Sequence, residues 1–250
     1  MFQFRSVKTA AIGAAVVVTT ALVGAQAKDT IPASGGDIIV IPINHATVEI
    51  QHAGKTILVD PTAQGRYTGL PAPDLILITD IHGDHMDPAT VEKVKKPGTT
   101  IVVPPAVAEK VPGTVLKNGE KKTVAGVEIE AVPMYNLQRG PAAGQLFHDK
   151  GRGNGYILTL GGKRLYLSGD TECTAEMRAL KNIDVAFVAM NLPYTMPPSE
   201  AAECVKAFKP KIVYPYHYQG QNLQEFADAL KGTAGVEVRI RDWYAPAASK

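Results

Sequence analysis

Cysteine is nearly absent from the 250-residue sequence, with Cys173 and Cys204 alone, and tryptophan occurs once. Two cysteines exclude a small scaffold held together by disulfides, although an exported chain can oxidise one pair. The sequence does not show whether their Cβ atoms come close enough, and the expectation is two free or buried thiols. Excess charge of either sign is also lacking, since the formal net charge is only +2. That balance recommends neither nucleic acid nor an acidic membrane surface as a partner. A long apolar run occurs only at the N-terminus.

That N-terminal segment carries Arg5 and Lys8, then an uncharged run over residues 9–24, then Ala25-Gln26-Ala27. A charged start, an apolar middle and small residues at the end are the pattern of a secretory signal peptide cleaved after Ala27. The run is about sixteen residues and rich in Ala, Gly and Thr, whereas a spanning helix wants roughly twenty strongly apolar ones. The expectation is a signal over 1–27, a single domain over 28–250, and a periplasmic or secreted protein. Removal of Arg5 and Lys8 leaves 24 basic against 24 acidic groups.

Residues 37–44, 46–52 and 55–60 are rich in Ile and Val and broken at Ala53-Gly54, so they read as consecutive strands. Residues 74–79 (DLILIT) form a continuous apolar run, the mark of a strand buried on both faces. A short helix is expected over 88–96 with Asp87 as its cap, then strands at 99–103, 115–116, 122–124 and 127–132. Residues 134–153 form a long connection of the kind that carries function when it occurs in a compact domain. The second half repeats the theme, with strands at 154–160, 164–168, 184–189, 211–214 and 236–240 and helices near 175–180, 199–208 and 223–230. Strands lead in each half and helices follow, which fits two sheets between outer helices better than one doubly wound parallel sheet.

All six histidines (45, 52, 82, 85, 148 and 217) fall at strand ends or in loops. Imidazole is the commonest transition-metal ligand, and a loop after a buried strand holds such groups on a rigid base. The run Asp80-Ile81-His82-Gly83-Asp84-His85 places four potential ligands within six residues directly after the 74–79 strand. Two imidazoles and two carboxylates suit zinc, manganese or iron. His52, before a hairpin turn, is expected to face solvent. Cys173, three residues after Asp170, is expected to begin a helix and point away from any metal.

The 80–85 run resembles the His-x-His-x-Asp-His motif of the metallo-β-lactamase superfamily, with Asp80 in place of the first histidine. Thr56 to Pro61 (TILVDP) is similar to that family's early strand and turn, Ser168-Gly169-Asp170-Thr171 to its Gly-Asp motif, and YPYH ending at His217 to its closing motif. The stretches AVPMYN, GRGNGYILTLGGKRLYLSGDTE and KPKIVYPYHY resemble the branch that includes sugar-lactone and phosphodiester hydrolases. The resemblance implies an α/β fold, a four-layer αββα sandwich. It also implies two divalent metal ions, zinc foremost with manganese or iron as alternatives, with the aspartate matching Asp170 bridging them. It names no substrate, because one fold hosts many chemistries.

Besides Asp80, a second departure lies just after Ala131-Val132-Pro133, where the family's next histidine is replaced by Met134-Tyr135-Asn136. The candidate substitute is His148, with substrate contact as its alternative role. The resulting expectation has Asp80, His82 and His148 on metal one, Asp84, His85 and His217 on metal two, and Asp170 between them. Two such cations share a water and lower its pKa toward neutrality. Asp84 would orient that nucleophile. His45, Asn136, Tyr194 and Tyr216 are candidate substrate contacts, with a structural role open for each. The implied activity is hydrolysis of an ester, lactone, amide or phosphodiester bond in a small molecule. Two other readings stay open: a metal-binding or sensor module without turnover, and oxygen or nitric-oxide reduction at an iron site. The second of these would want a flavin partner, and the chain carries no added flavin-type domain.

Overall fold

In the computed structural model, which describes residues 28–244, the strands of each half of the chain pair in sequence order to make one seven-stranded sheet. The first sheet contains β1 (Asp29–Ile31), β2 (Ile38–Asn44), β3 (Thr47–His52), β4 (Lys55–Val59), β5 (Leu75–Leu77), β6 (Thr100–Val103) and β7 (Thr114–Val115). The second contains β8 (Lys121–Val124), β9 (Val127–Met134), β10 (Gly153–Leu160), β11 (Lys163–Leu167), β12 (Val185–Ala189), β13 (Ile212–Tyr216) and β14 (Glu237–Val238). The expected signal segment lies outside the described residues.

Each sheet has an antiparallel half followed by a parallel half. β1 to β4 and β8 to β11 pair antiparallel. β4 to β7 and β11 to β14 pair parallel. The hairpins turn at Ala53-Gly54, Ala125-Gly126 and Gly161-Gly162, where both residues have positive φ, the geometry whose twist matches that of the flanking strands. Parallel pairs need crossovers, and these supply α1 (Pro88–Val94), α3 (Pro198–Phe208) and α4 (Leu223–Leu230), with the one-turn α2 (Ala175–Arg178) after β11.

Residue alternation along the parallel strands builds the layers. Leu75 and Leu77 of β5 enter the core between the sheets, while Ile76 and Ile78 pack with Val91 of α1. Val185, Phe187 and Ala189 of β12 likewise face the inter-sheet core, and Ala186 and Val188 meet Ala201, Val205 and Phe226 of the outer helices. The result is the four-layer sandwich expected from the sequence.

Several boundaries differ. β1 forms within what reads as a polar leader, because Asp29 is anchored by Tyr214 of the other sheet and by Arg239 and Arg241 just after β14. α2 stops at Arg178, and the last strand shrinks to two residues. His52 is half-buried against the Gly161 turn rather than facing solvent. The two cysteines are not free thiols: Cys173 and Cys204 form a disulfide with Cα atoms 5.6 Å apart, because α3 packs beside the loop that follows β11.

Candidate metal centre

Loops that follow β5, β11 and β13 converge at one end of the sandwich, and the long 135–152 connection folds over them. This is where the parallel strands present their carboxyl ends, the usual location of sites in α/β sheets. Asp80 to His85 follow β5, Asp170 follows β11, and His217 follows β13 with φ of 50°. Gly169 is required at the β11 turn, since its φ is +61° and a Cβ there would meet Met134 Sδ at 2.5 Å.

Asp170 is the hub. Its Oδ2 lies 3.3 Å from both His85 Nε2 and His148 Nε2, and its Oδ1 lies 3.3 Å from His217 Nε2. Asp84 Oδ2 is 3.4 Å from His217 Nε2 and 3.4 Å from His45 Nε2. On the other side, Asp80 Oδ2 is 3.0 Å from His82 Nδ1 and 3.9 Å from His148 Nε2. Two groups result, Asp84 with His85, Asp170 and His217, and Asp80 with His82 and His148, each offering ligand atoms within 4.8 Å of one another. All seven residues singled out as ligands from sequence are therefore brought together.

The donor set fits metal. His85 Nε2, His148 Nε2, His217 Nε2 and Asp170 Oδ1 are buried and have no hydrogen-bond partner. Ligands at 2.0–2.1 Å around a tetrahedral ion stand roughly 3.3 Å apart, which is the spacing around Asp170. Buried polar atoms left without partners are costly, and cations held by the two groups would satisfy all of them.

Supporting residues fix which ring nitrogen is offered. Asp60, fully buried at the end of β4, accepts from His85 Nδ1 at 2.8 Å and from the Thr79 backbone and hydroxyl at 2.7 and 2.6 Å. A carboxylate only accepts, so His85 carries its proton on Nδ1 and turns Nε2 inward. Burial alone would lower the His85 imidazole, yet Asp170 and Asp60 reverse this and raise its pKa well above the ordinary value. Burial opposes ionisation of Asp170 too, but His217 and His85 hold its pKa well below the carboxylate range. Asp84 shows the same direction, with burial overcome by His217 and His45.

Arg152 clamps Asp80, Nε donating to Oδ1 at 3.1 Å and Nη2 to Oδ2 at 2.9 Å. Its positive charge offsets Asp80 where the motif of the resembled family has a neutral histidine. Neither Asp60 nor Arg152 was singled out from sequence. Asp60 carries a readable signal, an acid ending a buried strand before Pro61, whereas Arg152 sits in a loop and carries none.

The expected substrate contacts divide. Tyr194 is 47% exposed and lines a cavity of about 690 Å³ above the centre, as do His45, Asp84 and His148. His45 is nearly buried, its Nδ1 2.7 Å from the Tyr244 hydroxyl. Tyr216 is not a substrate contact, being fully buried between the sheets against Phe187 and Trp243, with its hydroxyl accepting from the Gly169 backbone. Asn136 is not one either: it is buried and its amide is taken up by His148, Glu172 and the Tyr194 carbonyl. Cys173 points into its disulfide, as expected of a residue outside the ligand set.

The sequence matches the model of the beta-lactamase superfamily domain over residues 40–217. It is 35% identical over 191 residues to a UPF0173 metal-dependent hydrolase from Thermococcus onnurineus, covering 70% of this chain and 82% of that one. A UPF0173 metal-dependent hydrolase from Lysinibacillus sphaericus is 31% identical over 78% of this chain and 92% of its own. Among solved structures, a protein from Parabacteroides distasonis assigned as a metal-dependent hydrolase superposes with a TM-score of 0.81 at 42% identity, covering 87% of this chain and 99% of that one.

Proposed function

The chain belongs to the beta-lactamase superfamily and to the UPF0173 metal-dependent hydrolases, and on that premise we propose that it hydrolyses an ester, lactone, amide or phosphodiester with two divalent cations. The observation that carries this reading is the pair of ligand groups meeting at Asp170, with the Nε2 atoms of His85 and His217 in one and of His148 in the other buried without a hydrogen-bond partner. Asp80, His82 and His148 would hold one cation, Asp84, His85 and His217 the other, and Asp170 would contact both. Zinc is favoured by the four imidazoles, while the carboxylates also suit manganese or iron. Bound there, the cations would supply Lewis acidity to water and to a substrate oxygen.

The chain's own residues would do the rest. Asp84, anionic and half-exposed to the cavity, accepts a hydrogen bond from the attacking water and orients it. His82, 45% exposed at the mouth, lies where the substrate enters. Phe147 and Tyr194, rings 5.1 Å apart, form a wall that shields one side of the reacting bond from solvent. We further propose that residues 1–27 direct export, consistent with a disulfide that persists in oxidising compartments.

Elemental analysis of protein purified without chelator, with turnover of chromogenic esters, lactones, amides, phosphodiesters and β-lactams, tests the reading. Close to two transition-metal ions per chain and turnover of one bond class are expected. A protein that holds no metal after reconstitution with zinc, manganese and iron refutes it. N-terminal sequencing of protein from a periplasmic fraction should begin at or near Lys28, and an intact Met1 would refute export.

A further inference from the structure

Besides His45, Tyr194 and Tyr244, five polar side chains wall the cavity without belonging to either ligand group: Asn44, Thr62, Gln64, Asn191 and Gln219. The four carboxamides make no side-chain hydrogen bond to any described residue. Thr62 is 1% exposed, and its buried Oγ1 has no hydrogen-bond partner. That oxygen is closed off from the cavity, so the groups free to meet a ligand are the carboxamides, with Asn191 enclosed and Gln64 and Gln219 at the rim.

Charge limits what that ligand can be. No Lys or Arg is among the described residues lining the cavity. Arg152 is paired with Asp80 and Arg139 with Glu172 and Glu200, while Arg66 donates to the Ile43 carbonyl and is not part of the lining. A phosphate or carboxylate tail extending past the metal centre would lose its hydration with no guanidinium or ammonium to replace it. A carboxamide, by contrast, offers a donor and an acceptor side by side, which matches a hydroxyl that both gives and takes a hydrogen bond.

We propose that the substrate is neutral and hydroxyl-rich, an acyl compound recognised through the Asn44, Gln64, Asn191 and Gln219 side chains and carrying no anionic tail. This rests on the hydrolase reading above and narrows it. The carboxamides position the hydroxyls, and the ligand residues at the centre would hold the cations that polarise the acyl carbonyl oxygen.

The test uses zinc-loaded protein and matched probes. Glycerol monoacetate and D-ribono-1,4-lactone are neutral and hydroxylated, their 3-phosphate and 5-phosphate are the anionic counterparts, and propyl acetate and γ-valerolactone lack hydroxyls. In whichever bond class is turned over, kcat/KM should be at least about tenfold higher for the neutral hydroxylated member than for the other two. Gln64→Ala and Gln219→Ala should raise KM severalfold for that member, leave propyl acetate or valerolactone unchanged, and leave the metal content unchanged. A phosphorylated or unhydroxylated probe used equally well would overturn the proposal while leaving the hydrolase reading intact. Calorimetry with ribitol separates the remaining cases. If no acyl probe is turned over but ribitol binds and combining Gln64→Ala with Gln219→Ala abolishes binding, hydroxyl recognition stands and the reading of the bond cleaved falls. If ribitol does not bind and no probe is turned over, the proposal is wrong.

Discussion

Asn136 and His148 stand near the two ends of the long connection between β9 and β10, and one atom of Asn136 holds both the backbone and the ring of His148. Asn136 Oδ1 accepts from the His148 backbone N–H at 2.8 Å and from Nδ1 at 2.7 Å. Because the backbone can only donate, the Asn136 atom is an oxygen and the ring must donate to it as well, which leaves Nε2 bare and aimed at Asp170. Asn136 thus supports the histidine that we propose as a ligand of the first cation.

Asn136→Ala should therefore act as a metal-site variant. Loss of a supporting partner typically costs about 10- to 100-fold in metal affinity or activity. Metal stoichiometry should fall at the Asp80 group alone, because His85 and His217 do not touch Asn136, and His148→Ala should exceed the effect. An unchanged count of two in His148→Ala would make His148 a substrate contact instead.

Removal of metal by a graded chelator should proceed in two phases. Arg152 offsets the Asp80 charge, so the Asp80, His82 and His148 group holds its cation with less net negative charge than the group containing both Asp84 and Asp170. The first metal lost should be absent already from His82→Ala, while His85→Ala should lose the tighter one. His85 is fully buried, so its variant should also lower the melting temperature of the metal-loaded protein more than that of His82, which is half-exposed.

Metal binding should release protons at neutral pH. In metal-free protein Asp170 and Asp60, against the effect of burial, raise the His85 pKa well above its ordinary value of about 6.5, so a cation arriving at Nε2 displaces a proton. Calorimetric titration in two buffers of different ionisation enthalpy checks this. The sign for stability follows, because a raised folded value stabilises fully below the unfolded pKa and is lost as pH rises through the folded one. Chelated protein should melt at progressively lower temperature as the medium turns alkaline, and the loaded protein should not share that loss.

Cys173→Ser with Cys204→Ser should destabilise by about 2–4 kcal/mol, the usual contribution of a disulfide closing a loop of this order. The same link ties the loop carrying Asp170 and Glu172 to α3, so turnover should fall more than the loss of folded protein accounts for. Thermal melts with and without reductant, beside turnover per folded molecule, measure both effects.

The layer architecture was legible because alternation and apolar runs encode which face of each strand is buried. DLILIT and DVAFVA announce their burial whatever lies around them. The seven candidate ligand residues were legible for a similar reason, since most sit directly after such strands and the chemistry of the side chain alone suggests its use. What sequence left open depends on partners distant along the chain. Asp60 reaches His85 across 25 residues, Arg152 reaches Asp80 across 72, and Tyr216 lies inside the core against Phe187 and Trp243. The disulfide likewise required α3 to lie against the loop after β11, which no local pattern specifies. Local periodicity fixes an element and the direction of its side chains, but the nitrogen an imidazole offers and the charge a carboxylate keeps are set by whatever the fold places beside it.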